Sequence, residues 1–365
     1  MTRRSNSVTI REVARHAEVS VATVSRYINQ NAPVSQDVAE RIQQVMLDLN
    51  YKPHAAARHL ATRRTQTIGL ILHNMHTDFF APLLSGIEAM VSENQYNLLV
   101  ATYKSPPRRD SQPPIGPHNT DGILVFADSL SEEHLTQLCR DKFPLVLIHR
   151  TPPVYLKIPF VTVENKAATR KLITHLIEDH QRRSILFLRG PHEQEDSLWR
   201  EQGYLEALEA HGLQTDSSLV LDGEFNGQVA YRNIKQLLSQ GPRKFDAIFT
   251  GDDDAAIGAL TALTEAGIRV PEEVAVVGFD DSRLSPFLTP PLTTVRAPTE
   301  EVGRTAADLL FQLIKGQTAE PVTLLSTEII LRRSCGCLLE AAQETNEKGG
   351  GSTQPNPEVH IRMNH

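Results

Sequence analysis

TIREVARHAEVSVATVSRYIN, residues 9–29, decides the fold of the front of this chain. It reads as two short helices joined by a tight turn. Thr9 can cap the first helix while Glu12, three residues on, reaches back to the Thr9 amide, which makes a capping box. Ile10, Val13, Ala14 and Ala17 fall at helical spacing and form one apolar stripe. Ser20 can cap the second helix, whose Val24 and Ile28 share a face. Helices this short cannot persist alone and need a partner to pack on. Val38, Ile42, Val45 and Leu49 supply it, on a third amphipathic helix that Ser35 can cap. Three small helices around one apolar centre describe a helix-turn-helix module.

The exposed side of the second helix points to its use. It begins with Ser20, Val21, Ala22 and Thr23 and continues through Ser25, Arg26 and Asn29. Small and polar residues at a helix start let that end enter the DNA major groove, about 12 Å wide. Arg26 can fork onto a guanine, and Val21 or Ala22 can meet a thymine methyl. Thr9 and Tyr51, at the two ends of the bundle, complete the DNA-facing set. The plainer alternative is a bundle that serves assembly, with Arg26 an ordinary solvated charge.

Charge is distributed to match. Residues 1–66 hold ten Lys+Arg against five Asp+Glu, a net +5, and the remainder holds 27 against 39, a net −12. A basic head on an acidic body concentrates phosphate attraction on the helices. The whole chain has 365 residues, 40% hydrophobic and 22% charged, which suits two or three globular domains. No apolar run of about 18 residues exists to span a membrane, and MTRRSNSVTIREV lacks the apolar core of a secretory signal. A cytoplasmic protein, nucleoid-associated when on DNA, is expected. The three cysteines, Cys139, Cys335 and Cys337, suit a reducing compartment. Cys335-Gly-Cys337 offers two metal ligands, but no His or Cys pair stands out to complete a set, so thiols and no metal are expected.

Residues 9–29, followed by PVSQDVAERIQQVMLDLNYKPHAAARHLA, resemble the head of the LacI/GalR family of bacterial regulators. The resemblance continues through IGLIL, DGILVF, WREQGYLEAL, GDDDAAIGAL, VAVVGFDD and PPLTTVR and covers nearly everything to Cys337. Glu18 departs from it, standing in the turn where the family usually has Gly. If that position needs a positive φ, Glu costs about 1 kcal/mol there.

The resemblance implies a hinge helix at 54–61, HAAARHLA, which enters the minor groove when two subunits sit on an operator. His54, Ala57 and Leu60 are its DNA-contacting candidates, with Leu60 aligned to the family's wedge between base steps. By composition alone, the octet is a plain linker. The expected architecture is a helix-turn-helix head and hinge at 1–62 and a two-lobed, periplasmic-binding-protein-like body of parallel sheets flanked by helices at 67–337. The N-lobe takes 67–164 and 298–325, the C-lobe 165–297 and 326–337. The stretch 338–365, which from Glu340 on is polar, Gly/Pro-rich and free of Leu, reads as disorder.

From Thr67 onward, short apolar strands alternate with amphipathic helices, the pattern of a parallel α/β sheet. Strands are expected at 67–72, 97–102, 121–126, 145–148, 160–163, 184–188, 246–250 and 274–279. Helices are expected at 79–95, 131–142, 166–180, 197–211, 228–239, 254–266 and 299–315. Residues 104–119, KSPPRRDSQPPIGPHN, carry five prolines where relatives have a helix, so an irregular loop is expected.

Ligands in such sheets sit at the carboxyl ends of strands. His73 and Asn74 follow the first strand, and Phe79 and Phe80 open the next helix, either stacking on a ligand or filling core. His149 ends LVLIH, where relatives often carry Asp. Gln194 and Asp196 lie in a loop before Arg200, which aligns with the family's ligand-contacting Arg; the alternative is an ion pair with a nearby acid. Phe225 aligns with an aromatic that closes over ligand. Asp252 and Asp280 can accept hydrogen bonds from hydroxyls, as carbohydrate binding requires. The competing use of such acids is helix capping, fitting Asp254 best, then Asp252, with Asp281 better placed than Asp280.

No GxSxG, P-loop or HExxH occurs, so no catalytic residue or cofactor is expected. The expected function is a bacterial, sequence-specific transcription regulator, a repressor, whose hold on double-stranded operator DNA is switched by a sugar-like effector. A solute-binding protein of an importer, or an enzyme on the same body, are the alternatives. Because one head reads one half-site, a homodimer is expected, joined through the helix at 79–95.

Overall fold

The computed structural model describes residues 8–29, 32–51, 64–73, 75, 78–102 and 113–337. The expected hinge with His54, Ala57 and Leu60, as well as Asn74 and the stretch 338–365, lie outside the described residues. So does the side chain of Asn29.

Three helices form the head: α1 (Ile10–His16), α2 (Val21–Asn29) and α3 (Gln36–Asp48). The capping box on α1 is complete, with the Thr9 amide donating to Glu12 Oε2 at 2.7 Å and the Glu12 amide to Thr9 Oγ1 at 3.4 Å. Ser20 accepts from the Thr23 amide at 3.0 Å and starts α2. Ser35 does not cap α3 as expected: its backbone is extended, but its hydroxyl makes no capping bond. Asp37 in the first turn supplies the negative charge that the helix dipole favours instead. Val13, Ala14, Ala17, Val24 and Ile42 are buried at the centre, and Ile10, Ile28, Val38, Val45, Leu49 and Tyr51 pack around them. Glu18, in the turn, has φ +54°, so the departure from Gly does carry a strained backbone.

The body contains two six-stranded sheets. The first is built from β1 (Thr67–Leu72), β2 (Asn97–Thr102), β3 (Gly122–Phe126), β4 (Leu145–Ile148) and β5 (Phe160–Val163), with helices α4 (Phe80–Glu93) and α5 (Glu132–Arg140) between them. The second takes β6 (Ile185–Arg189), β7 (Val220–Asp222), β8 (Ala247–Thr250), β9 (Ala275–Asp280) and β10 (Thr293–Arg296). Its helices are α6 (Lys166–Glu178), α7 (Glu195–Ala210), α8 (Gly227–Ser239) and α9 (Asp253–Glu265). Then α10 (Thr299–Ile314) packs on α4, β11 (Val322–Leu325) joins the first sheet, and β12 (Glu328–Ile330) joins the second.

Strand order is β11-β5-β4-β3-β1-β2 in the first sheet, all pairs parallel. It is β12-β10-β9-β8-β6-β7 in the second, where only β12 runs antiparallel to its neighbour. Central strands such as GILVF and LVLI are buried at every position, as helices on both faces require. Edge strands β2 and β11 alternate instead. The strands β7, β10, β11 and β12, only three or four residues each, are not among those expected. The expected strands and helices otherwise appear with ends shifted by one or two residues.

Residues 113–119 are irregular, as the prolines require, but not idle. Asn119 folds them into a turn by accepting from the Gly116 amide at 3.0 Å and donating to Pro114 O at 2.7 Å. This turn buries Ile115 against Ile71, Ile123 and Val125, covering the sheet face that a helix covers elsewhere.

Candidate functional site

Two sites emerge. In the head, the start of α2 presents Val21, 42% exposed, with Ala22 and Arg26 exposed beside it. Ser20 and Thr23 share a hydroxyl–hydroxyl bond of 2.8 Å, and Thr9 Oγ1 lies 3.0 Å from Glu12 Oε2, so capping already engages these three. Tyr51 is half-buried against the head core, and burial raises its phenol pKa. Its place is therefore structural as much as DNA-facing. Val21, Ala22 and Arg26 are thus exposed on α2 without a capping role: two small apolar side chains and one fork.

In the body, a cavity of about 130 Å³ lies where strand ends of both sheets meet. His73, Phe79, Phe80 and Phe126 line it from the first sheet, and Gln194, Asp196, Arg200, Phe225, Asp252 and Asp280 from the second. The described effector candidates are thus brought together, with one exception. His149 stands just behind the lining, buried, its Nδ1 2.8 Å from Asp196 Oδ2 and its ring packed near Phe79 and Phe126. Phe126 and Glu224 line the cavity without having been singled out. Phe126 ends an apolar strand and is indistinguishable from core by pattern. A wider opening of about 920 Å³ shares Phe79, Asp252 and Asp280 and runs on toward Arg296, Glu300 and Arg304.

Arg200 is the hub. Although charged, it is only 3% exposed. Its Nε donates to Asn165 Oδ1 at 2.8 Å and its Nη1 donates to Gly251 O. Nη2 lies 3.5 Å from Asp280 and 4.0 Å from Asp196. Underneath, the Phe279 ring sits 3.6 Å from the guanidinium carbon. Asn165, at the crossing between the sheets, also donates to Asp196 Oδ1 at 2.7 Å. The surface ion pair considered from sequence is therefore replaced by a buried network of one cation with several acceptors.

The carboxyls respond to this setting. Burial and the repulsion of Asp280 push Asp252 well above the usual carboxylate range. Asp280 is raised by burial against the opposing pull of Arg200. Burial would raise Asp196 too, but His149, Arg200 and the Asn165 amide more than offset it, and its pKa falls. Burial lowers His73.

The capping roles differ from expectation. Asp252 is the N-cap of α9, accepting from the Ala255 amide at 2.9 Å, whereas Asp254 accepts from the Gly227 amide at 2.9 Å. The helix begins one residue earlier than the expected 254, at Asp253, and the cap falls on Asp252. Asp281 pairs with Arg296 and Arg332, both at 2.7 Å, and caps nothing.

Two further features mark a binding site. His149, Glu224, Phe225 and Asp280 all have positive φ, between +49° and +106°. Such conformations cost about 1–3 kcal/mol each and collect where a side chain must be aimed. Gly190 makes room for one of them: a Cβ there would lie 2.2 Å from the Phe225 ring. Second, His149 Nε2 is buried with no hydrogen-bond partner among the described residues. Buried orphans of this kind are uncommon without a ligand or water to serve them.

Comparison with known proteins covers both parts of the chain. Residues 9–54 match the profile "Bacterial regulatory proteins, lacI family", and 173–335 match "Periplasmic binding protein-like domain". The chain is 34% identical over 336 residues to the HTH-type transcriptional regulator CelR of Thermobifida fusca, covering 89% of this chain and 98% of that one. It is 30% identical over 333 residues to the ribose operon repressor of Escherichia coli K12, again covering 89% and 98%. Among solved structures, the complex of the regulator CelR with cellobiose superposes with a TM-score of 0.65 at 31% identity, over 90% of this chain and 99% of that one. With its helix-turn-helix head, its two parallel-sheet lobes and full-length relatives of this kind, the chain belongs to the LacI family of bacterial transcription regulators.

Proposed function

We propose that this regulator holds its operator as a homodimer and that a carbohydrate, bound between the two sheets, switches that hold. One observation carries the ligand class: a buried Arg200 fork stands among Asp196, Asp252 and Asp280, with Phe79, Phe80, Phe126 and Phe225 around the same cavity. Carboxylates and a guanidinium match vicinal hydroxyls, which donate and accept. Aromatic rings match the C–H faces of a pyranose or furanose. The relatives named for cellobiose and for the ribose operon are in keeping with a sugar.

The cavity of about 130 Å³ adjoins the wider opening of about 920 Å³ through Phe79, Asp252 and Asp280, so there is room for more than one ring. Ligand bridging the sheets shifts the population between two arrangements of the lobes and hence of the paired heads, with coupling of about 1–3 kcal/mol. Dimerisation through α4 gives the two heads the spacing of a palindromic site. On DNA, the protein is then part of the nucleoid.

A thermal-shift screen of monosaccharides and disaccharides against the full chain tests this reading. A sugar that raises the melting temperature of the wild type, with no effect on Arg200→Lys, supports it. A response limited to non-carbohydrate metabolites overturns it.

A further inference from the structure

The two cysteines near the end of the described chain are not alone. The fold brings His175 and His180 to Cys335 and Cys337, and one ligand atom from each of the four lies within 4.8 Å of the others. We infer that these four residues form a zinc site that fastens the last segment of the body to α6. The sequence reading missed it because the histidines stand far upstream. Their spacing, His-x₄-His, does fall within the range that zinc sites use.

The geometry suits a tetrahedral ion. His175 Nε2 and His180 Nε2 lie 3.1 and 3.2 Å from Cys337 Sγ, and 3.2 Å from one another. The two sulfurs are 3.1 Å apart, well beyond the roughly 2.05 Å of a disulfide. Zinc bonds of about 2.3 Å to sulfur and 2.0–2.1 Å to nitrogen place neighbouring ligand atoms about 3.3–3.8 Å apart. To enclose an ion the sulfurs must part by about 0.7 Å and the histidine nitrogens must withdraw from Cys337 Sγ by about 0.5 Å, movements within the reach of side-chain rotation. Two thiolates with two imidazoles in this arrangement select zinc over hard cations.

The surroundings are arranged as a metal's second shell is. The Nδ1 of His175 contacts Asp179 Oδ2 at 2.6 Å, which fixes the ring with Nε2 toward the sulfurs; this is a carboxylate–histidine–zinc relay. Thr293 Oγ1 donates to Cys335 Sγ at 3.1 Å. Gly336, between the cysteines, has φ +110°, and a Cβ there would come within 3.3 Å of the His180 ring. Only glycine lets both cysteines face the same histidines.

The loop is also held in place without an ion. Ser334 accepts from the Thr293 amide at 2.7 Å and donates to Val276 O at 2.6 Å. Cys335 is fully buried while the other three are partly exposed, so an ion has an entry side. The bond would join the C-terminal end of α6 to the segment that follows β12. None of the four residues lines the effector cavity.

The test loads the full-length protein with zinc chloride under a phosphine reductant, removes excess ion by gel filtration and counts metal by mass spectrometry. About one zinc per protomer is expected, together with a rise in melting temperature of about 3–6 °C over chelator-treated protein. Cys337→Ser and His180→Gln, whose side chains are partly exposed, should each retain far less zinc while still binding operator. Cobalt in place of zinc should give the visible bands of a tetrahedral ion and sulfur-to-metal charge transfer, lost in both variants. Failure to retain zinc overturns the inference, as does a Cys335–Cys337 disulfide persisting under reductant. Undiminished zinc in both variants overturns it too, by placing the ion elsewhere.

Discussion

The Arg200 guanidinium lies over the ring of Phe279, 3.6 Å from its centroid, and the residue after that phenylalanine, Asp280, pairs with it at 3.5 Å. A planar cation is thus held between a π-face and acceptors from three strand ends. Lysine keeps the charge but cannot reach Asn165, Gly251 and Asp280 together. Arg200→Lys is therefore expected to lose the effector response and about 1–3 kcal/mol of stability in urea unfolding, while its operator affinity without effector is kept. A normal effector response in this variant would remove Arg200 from the site.

In the head, Arg26 is an exposed fork in the last turn of α2, one turn on from the exposed Ala22 at its start. Arg26→Ala should weaken operator binding by about 1–3 kcal/mol and relax base preference at one position of each half-site. Fluorescence anisotropy on a set of single-base operator variants reads both effects. Uniform weakening across all of them would make Arg26 a phosphate contact.

Glu18 holds a φ of +54° in the turn between α1 and α2. Glu18→Gly relieves this strain at about 1 kcal/mol. Amide exchange of α1 and α2 in the full chain should slow about fivefold, with operator contacts unchanged. Faster exchange would show that the added freedom of glycine in the unfolded chain outweighs the strain.

Much of this could be read from residues alone, and the limits have physical causes. Period and capping located α1 and α2, since Thr9, Glu12 and Ser20 act locally. Strand-end logic found the pocket, because parallel sheets present their carboxyl ends to ligand whatever the sequence there. What escaped were contacts made only by tertiary folding. Asn165 looks like any loop amide until it meets Arg200 and Asp196, and Phe126 looks like core. His175 and His180 sit on an ordinary helix end until the chain returns with Cys335 and Cys337. The Ser35 and Asp254 caps failed for another reason: a capping residue type allows a bond, but the position of the first helical turn decides which residue makes it.

Asp253, next to the pocket, accepts from the Ser282 amide, Ser285 and Thr294 and is fully buried. Burial and the nearby Asp280 raise its pKa to about 7. A raised acid favours the folded state while protonated, so its contribution is full below about pH 4, its unfolded value, and is lost as pH rises through about 7. Asp253→Asn removes that proton from the balance. Its denaturation midpoint should therefore vary less between pH 4 and 7 than that of the wild type. A profile with the same slope in both would assign the pH dependence to other groups.

The most direct test of a DNA-gripping head governed by a sugar-binding body is a binding titration. The full-length protein is titrated onto duplexes tiled across its own genomic neighbourhood, at low salt, with and without each sugar that shifts its melting temperature. The expected result is one palindromic duplex held by two protomers, with an affinity that one sugar changes about 5–150-fold in the wild type and not in Arg200→Lys. Retention of no duplex in any of these conditions, or a sugar response that survives in the variant, would contradict it.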